Sequence, residues 1–237
     1  MSKAIRQPAI FLAHGDPMNA LRDNDFTRTL AAIGASLPEP PRAVLVVSAH
    51  WESRGTLACA AARPETIHDF GGFPAELYRV EYPAPGAPGL AREAVALVPG
   101  ARETSEWGLD HGAWTVLRHA FPAAEVPVFE VSIDSEKTLR EQFEIGRALA
   151  PLREEGVLFV GSGNVVHNLG RIAWGGPAYP WAEEFDAWVG SRLEEGDMDA
   201  LCDLSRGGEA ARDAVAALAC PTLEHYSPLV YAMGAAG

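Results

Sequence analysis

The chain has 237 residues, 48% of them hydrophobic, with a formal net charge of −13. Such a length and apolar content suffice for one good-sized core, and a single domain over residues 1–237 is expected. The acidic balance excludes nucleic acid and anionic membrane surfaces as expected partners, because both are held mainly by clustered Lys and Arg.

In chain order, the first strand signal is "AIFLA" (Ala9–Ala13), and "FTRTLAAIGASL" (Phe26–Leu37) follows with a helical period. A second strand, "AVLVVSA" (Ala43–Ala49), is apolar throughout and implies burial on both faces. Residues Arg63 to Pro88 form the largest irregular stretch, a plausible functional loop. Helical patterns resume at "GLAREAVALV" and "AWTVLRHAF", then comes a strand at Val126–Ile133. A helix over Thr138–Gly156, a strand at Val157–Gly163 and a helix over Trp181–Leu201 complete the series. Strands alternating with helices predict an α/β fold, with a mainly parallel or mixed central sheet flanked by helices.

The cysteines, Cys59, Cys202 and Cys220, are odd in number, widely spaced and without a C-x-x-C pair. Neither a disulfide framework nor a thiolate zinc site is supported, and a reducing cytoplasm fits. The apolar run in "MSKAIRQPAIFLAHGD" is too short for a signal segment or a spanning helix.

Seven histidines carry the chemistry. His14 follows the first strand, His50 the second, and His167 lies just beyond Val157–Gly163. The C-terminal edge of an open α/β sheet is where ligands bind, so histidines there can converge despite their separation in sequence. His225, in "PTLEHYSP", precedes an apolar segment. A lone histidine after a strand is more often a hydrogen-bonded surface or cap residue than a ligand. Several at one edge change that balance. His119 reads as structural, near a helix C-terminus that favours a cation. His68 and His111 sit in glycine-containing loops, and His111 is the better substrate contact because a helix beginning after it would face the same edge. Trp51, Trp107, Phe73 and Tyr226 are candidates to wall an aromatic pocket, with packing against the sheet edge the competing reading.

The sequence has no G-x-S-x-G elbow, no H-E-x-x-H and no Walker A loop, and "GSGNVV" lacks the third glycine of a dinucleotide fingerprint. Dispersed imidazoles with nearby carboxylates suit Zn, Fe, Cu or Ni without choosing among them. From the residues alone the chain is a histidine-rich metalloenzyme.

Through "FLAHGDPMNAL", "VVSAHW", "TIHDFGGFP", "WGLDHGAW", "GSGNVVHNL" and "PTLEHYSPLVYAMGA", the chain resembles the class III extradiol ring-cleavage dioxygenases, in their 4,5-DOPA dioxygenase extradiol-like branch. The resemblance covers nearly the whole chain. It implies a non-haem metal held by His14, His50 and His225, with His167 beside it as acid–base residue or additional ligand. His111 is then placed to hold substrate and to hydrogen-bond a developing oxyanion, with Trp51 and Tyr226 alongside. Fe(II) is the expected active metal, Zn(II) a possible occupant of the same site, and a catechol and O₂ the small-molecule partners. The wider class uses two histidines and a carboxylate, whereas this branch places His225 where the carboxylate would be. Glu224 beside it is a second candidate ligand or a supporting group. The resemblance also implies family members running beyond "YAMGAAG", with a closing strand. Two other functions remain compatible with the residues: a zinc-dependent hydrolase using the same histidines, and a non-catalytic binding protein on this fold.

Overall fold

The computed structural model describes residues 5–173, 175–204 and 210–237, with the side chains of 210–213 outside that description. Strand β1 (Ala9–Ala13) leads through a 3₁₀ turn at Pro17–Leu21 to α1 (Asp25–Ser36), which opens on a reciprocal capping box between Asn24 and Thr27. Then come β2 (Ala43–Ser48) and the short strands β3 (Glu52–Ser53) and β4 (Leu57–Cys59). After the long loop, α2 (Pro88–Leu97), β5 (Arg102–Thr104) and α3 (His111–Ala120) precede β6 (Val128–Glu130) and β7 (Ile133–Asp134). The remaining elements are α4 (Leu139–Leu149), α5 (Pro151–Glu154), β8 (Val157–Gly163), α6 (Pro180–Glu195), α7 (Met198–Cys202), α8 (Ala210–Ala219) and α9 (Ser227–Ala236).

The central sheet has the order β1-β8-β2-β6 and every pairing in it is parallel. Alternation along β2 and β8 divides the core into two layers. Ala43, Leu45, Val47, Val157 and Phe159 pack under α2, α4, α5 and α9, while Val44, Val46, Leu158 and Val160 pack under α1 and α3. A period of two on strands covered on both sides is what makes those segments read as continuous apolar runs. The fold class is therefore α/β with a parallel central sheet between helical layers.

Three predicted elements divide. The expected strand Val126–Ile133 leaves the central sheet after Glu130: the Val131 N–H still donates to Val46 O, but Ser132 and Ile133 donate to Leu57 O and Trp51 O. One apolar run thus serves two sheets, and pattern alone does not mark the change of partner. The expected helix Thr138–Gly156 stops at Leu149 because Pro151 has no N–H to continue it, and restarts with that proline at its first position. The expected helix Trp181–Leu201 ends at Gly196, whose φ of +69° and N–H bonds to Arg192 and Leu193 carbonyls form a left-handed cap. No described helix is long and apolar enough to cross a membrane.

Candidate metal centre

β8 lies between β1 and β2 and ends in Gly161, Ser162 and Gly163. Neighbouring strands stand about 4.8 Å apart, so side chains leaving β1 and β2 must lean across the end of β8 to meet. The small residues there let them do so. His14 continues from β1, its N–H donating to Gly163 O at 3.0 Å, and His50 follows β2. Their Nε2 atoms come within 3.2 Å.

The glycines of β8 admit the C-terminal segment as well. A Cβ on Gly163 would sit 2.2 Å from the His225 carbonyl oxygen, and one on Gly161 would sit 2.2 Å from that of Pro228. The Asn164 N–H donates to His225 O at 2.9 Å. His225 is thereby held over the same strand end, its ring centroid 5.2 Å from His14 and 4.9 Å from His50.

The first turn of α3 brings His111. Its N-cap, Asp110, accepts the Ala113 N–H and a 2.6 Å bond from the Ser48 hydroxyl, and its own N–H donates to Glu130 Oε1 at 3.0 Å. This network joins the ends of β2 and β6 to the helix. Burial raises both the Asp110 and Glu130 carboxyls above their ordinary ranges. Gly112 packs where a Cβ would lie 2.9 Å from His50 Cδ2, and the His50 and His111 centroids stand 3.8 Å apart.

Hydrogen bonds assign the ring protons. The Ser162 hydroxyl donates its only proton to Gly112 O at 2.6 Å, so its oxygen accepts from His14 Nδ1 at 3.1 Å. That leaves a lone pair on His14 Nε2. His225 Nδ1 donates to Glu224 Oε1 at 3.1 Å, and His111 Nδ1 to Asp69 Oδ2 at 2.9 Å. His50 Nδ1 lies 3.5 Å from the same Asp69 oxygen, and His167 Nδ1 lies 3.7 Å from Glu224 Oε1. Ser162, Glu224 and Asp69 thus take the Nδ1–H of His14, His225 and His111, as outer partners do when they orient metal-binding histidines.

These donors fit a transition metal. At metal–nitrogen distances near 2.0–2.1 Å, tetrahedral donors stand about 3.4 Å apart, close to the observed Nε2 separation. Burial, reinforced by the neighbouring histidines, holds His14 well below the usual imidazole range and brings His50 down to about 3. Both are neutral at physiological pH, the form that ligates. Burial and then His225 bring His167 down to about 4. The His225 hydrogen bond heads the causes that put Glu224 at about 2.

Ring nitrogens of His14, His50 and His111 all fall within 4.8 Å of one another, and His167, Glu224 and His225 form a second such group. His111 thus stands beside the first two histidines, and the His225 ring, 5.2 Å from His14 and 4.9 Å from His50, stands beside them as well. His167 stacks on His225 with centroids 3.3 Å apart and planes 11° from parallel. Glu224 accepts from His225 Nδ1 and faces His167 Nδ1 at 3.7 Å.

The remaining candidates lie around this cluster or away from it. Tyr226 is fully buried, with its hydroxyl donating to Leu201 O and its ring in the core beneath α6, α7 and α9. Trp51 is 4% exposed and stacks at 5.3 Å on the half-buried Trp107. Phe73 instead lies against Phe70, whose ring meets His111 edge-on at 5.5 Å. His119 and His68 bond to the carbonyls of Asn19 and Val80, outside the cluster. Asp69 and Ser162 were not distinguished in the sequence. Asp69 lies inside the quoted block "TIHDFGGFP", yet no spacing rule relates it to His111.

Residues 7–237 match the family described as the catalytic LigB subunit of aromatic ring-opening dioxygenase. The chain is 46% identical to a 4,5-DOPA dioxygenase extradiol of Escherichia coli (strain K12), over 97% of this chain and 85% of that protein. It is 37% identical to the protein of the same name from Beta vulgaris, over 96% and 86%. The crystal structure of the uncharacterized protein JW3007 from Escherichia coli K12 superimposes with a TM-score of 0.80 at 42% identity, over 97% of this chain and 89% of that one. A match across nearly all of the chain, on a fold that gathers its histidines at one sheet edge, places this protein in the LigB family of extradiol ring-cleaving dioxygenases.

Proposed function

We propose that the chain is a non-haem, metal-dependent extradiol dioxygenase that opens the ring of a DOPA-like catechol with O₂. The observation that carries this reading is the pair of inward Nε2 atoms of His14 and His50 at 3.2 Å, in rings whose outer nitrogens are tied to Ser162 and face Asp69. We assign the metal to His14, His50 and His225, with Fe(II) active and Zn(II) able to occupy the same donors. Bound iron would lower the catechol hydroxyl pKa values and supply the redox chemistry that O₂ requires, which zinc lacks.

The chain's own groups do the rest. His167, stacked on His225 and neutral at physiological pH, takes a proton from a substrate hydroxyl and returns it later as a general acid. His111 and the edge of Phe70 orient the ring from the α3 side. Burial of His14 and His225 keeps the centre dry, strengthening each polar contact in it. Three buried, unpaired cysteines support a reducing, cytoplasmic setting. The names of the relatives lend nothing to the hydrolase alternative.

Anaerobic loading with Fe(II), followed by a panel of catechols in air, tests the reading. Oxygen uptake and a yellow ring-fission chromophore should rise together, and the zinc-loaded protein should produce neither. No uptake by the fully iron-loaded protein, alongside ester or amide hydrolysis by the zinc form, would favour the hydrolase.

A further inference from the structure

Asp69 sits in the long loop before α2, and its carboxylate reaches the first turn of α3. Oδ1 accepts the His111 backbone N–H at 2.9 Å, and Oδ2 accepts from His111 Nδ1 at 2.9 Å. The side chain is 19% exposed, and both bonds are part-buried. An ionised carboxylate has no proton to offer. With Nδ1–H given to Asp69, a His111 ring that carries one proton has its lone pair on Nε2.

A ring in that state accepts a hydrogen bond from its ligand; it does not donate one. We propose that Asp69 is a positioning residue that sets the Nδ1–H tautomer of His111, so that His111 meets the substrate as acceptor of a hydroxyl proton. This inference rests on the proposed catechol site and sharpens it: the α3 side recognises a free phenolic hydroxyl and disfavours its methyl ether. A site built to pair with a hydroxyl rejects an analogue lacking it, because its own buried group is left unpaired. Under this proposal His111 accepts, where the resemblance implied donation to a developing oxyanion.

Asp69→Asn supplies the test. A carboxamide oxygen accepts one N–H where the carboxylate accepts two, and either orientation of the amide sets one NH₂ against a donor. The backbone N–H cannot give up its proton, whereas the imidazole can by moving it to Nε2. In the diamagnetic zinc-loaded protein, imidazole ¹⁵N spectra assigned by loss of the signal in His111→Gln should show Nδ1–H for the wild type and Nε2–H for Asp69→Asn. Asp69→Glu should keep Nδ1–H. Because Asp69 also faces His50 Nδ1 at 3.5 Å, activity is taken per bound metal, and kcat/KM of the iron form so normalised should fall about 10- to 100-fold with little change in thermal midpoint. An Nε2–H wild type or an unchanged tautomer in Asp69→Asn would overturn the proposal. The wild-type spectrum tests the tautomer even if Asp69→Asn does not fold. The spectra need no turnover, so failure of the catechol reaction alone is told apart from failure of this inference.

Discussion

Ser162 shows how one proton can organise several rings. Because its hydroxyl donates to Gly112 O, it can only accept from His14, which turns the lone pair of His14 Nε2 inward. Glu224 does the same for His225. The assignment of ligands is open to direct measurement. His14→Ala, His50→Ala and His225→Ala should each lose most of the bound metal by elemental analysis, since two remaining donors cannot complete the site. His111→Ala should keep its metal. His167→Gln should also keep it and turn over about 100- to 10,000-fold more slowly. A metal-free His111→Ala beside a metal-replete His225→Ala would make His111 the third ligand, in line with the compact group it forms with His14 and His50.

Among the elements, the end of β8 most closely couples fold to site. Its glycines exist for approach rather than for flexibility, since the His225–Pro228 main chain lies directly on them. Gly163→Ala should move His225, costing about 1–3 kcal/mol as overpacking does and lowering metal occupancy. Gly190, inside α6, has nothing within 4 Å of where a Cβ would stand. Gly190→Ala should leave occupancy unchanged and stabilise by about 0.5–1 kcal/mol, because alanine loses less freedom in a helix. Denaturant unfolding with parallel metal analysis separates the two. Equal behaviour of both variants would mean that the strand end does not position His225.

For the whole molecule, gathering neutral histidines makes the metal-free protein sensitive to acid. His50 and His167 titrate at about 3 and about 4 in the fold, against an ordinary value of 6.5. The unfolded chain therefore binds more protons than the folded one below pH 6.5, and stability falls as pH drops from there towards those folded values. Glu224, brought down to about 2, adds a loss that begins below its ordinary 4.5. The thermal midpoint of the metal-free protein should decline from pH 7 to pH 5, and His50→Gln should flatten that decline. An equal slope in both proteins would show that His50 does not contribute. Much of this architecture is legible in the chain itself: β-branched runs mark β1, β2 and β8, helical periods lie between them, and histidines follow the strand ends. Those features are local, set by backbone period and by which residues tolerate burial. The switch of the Val126–Ile133 segment between sheets, the burial of Tyr226 and the grouping of His111 with His14 and His50 are decided by tertiary structure. So is the hold of Asp69 on His111, 42 positions away, and of Ser162 on His14, 148 positions away. Such contacts depend on which strand lies between which others, and no local period encodes that order.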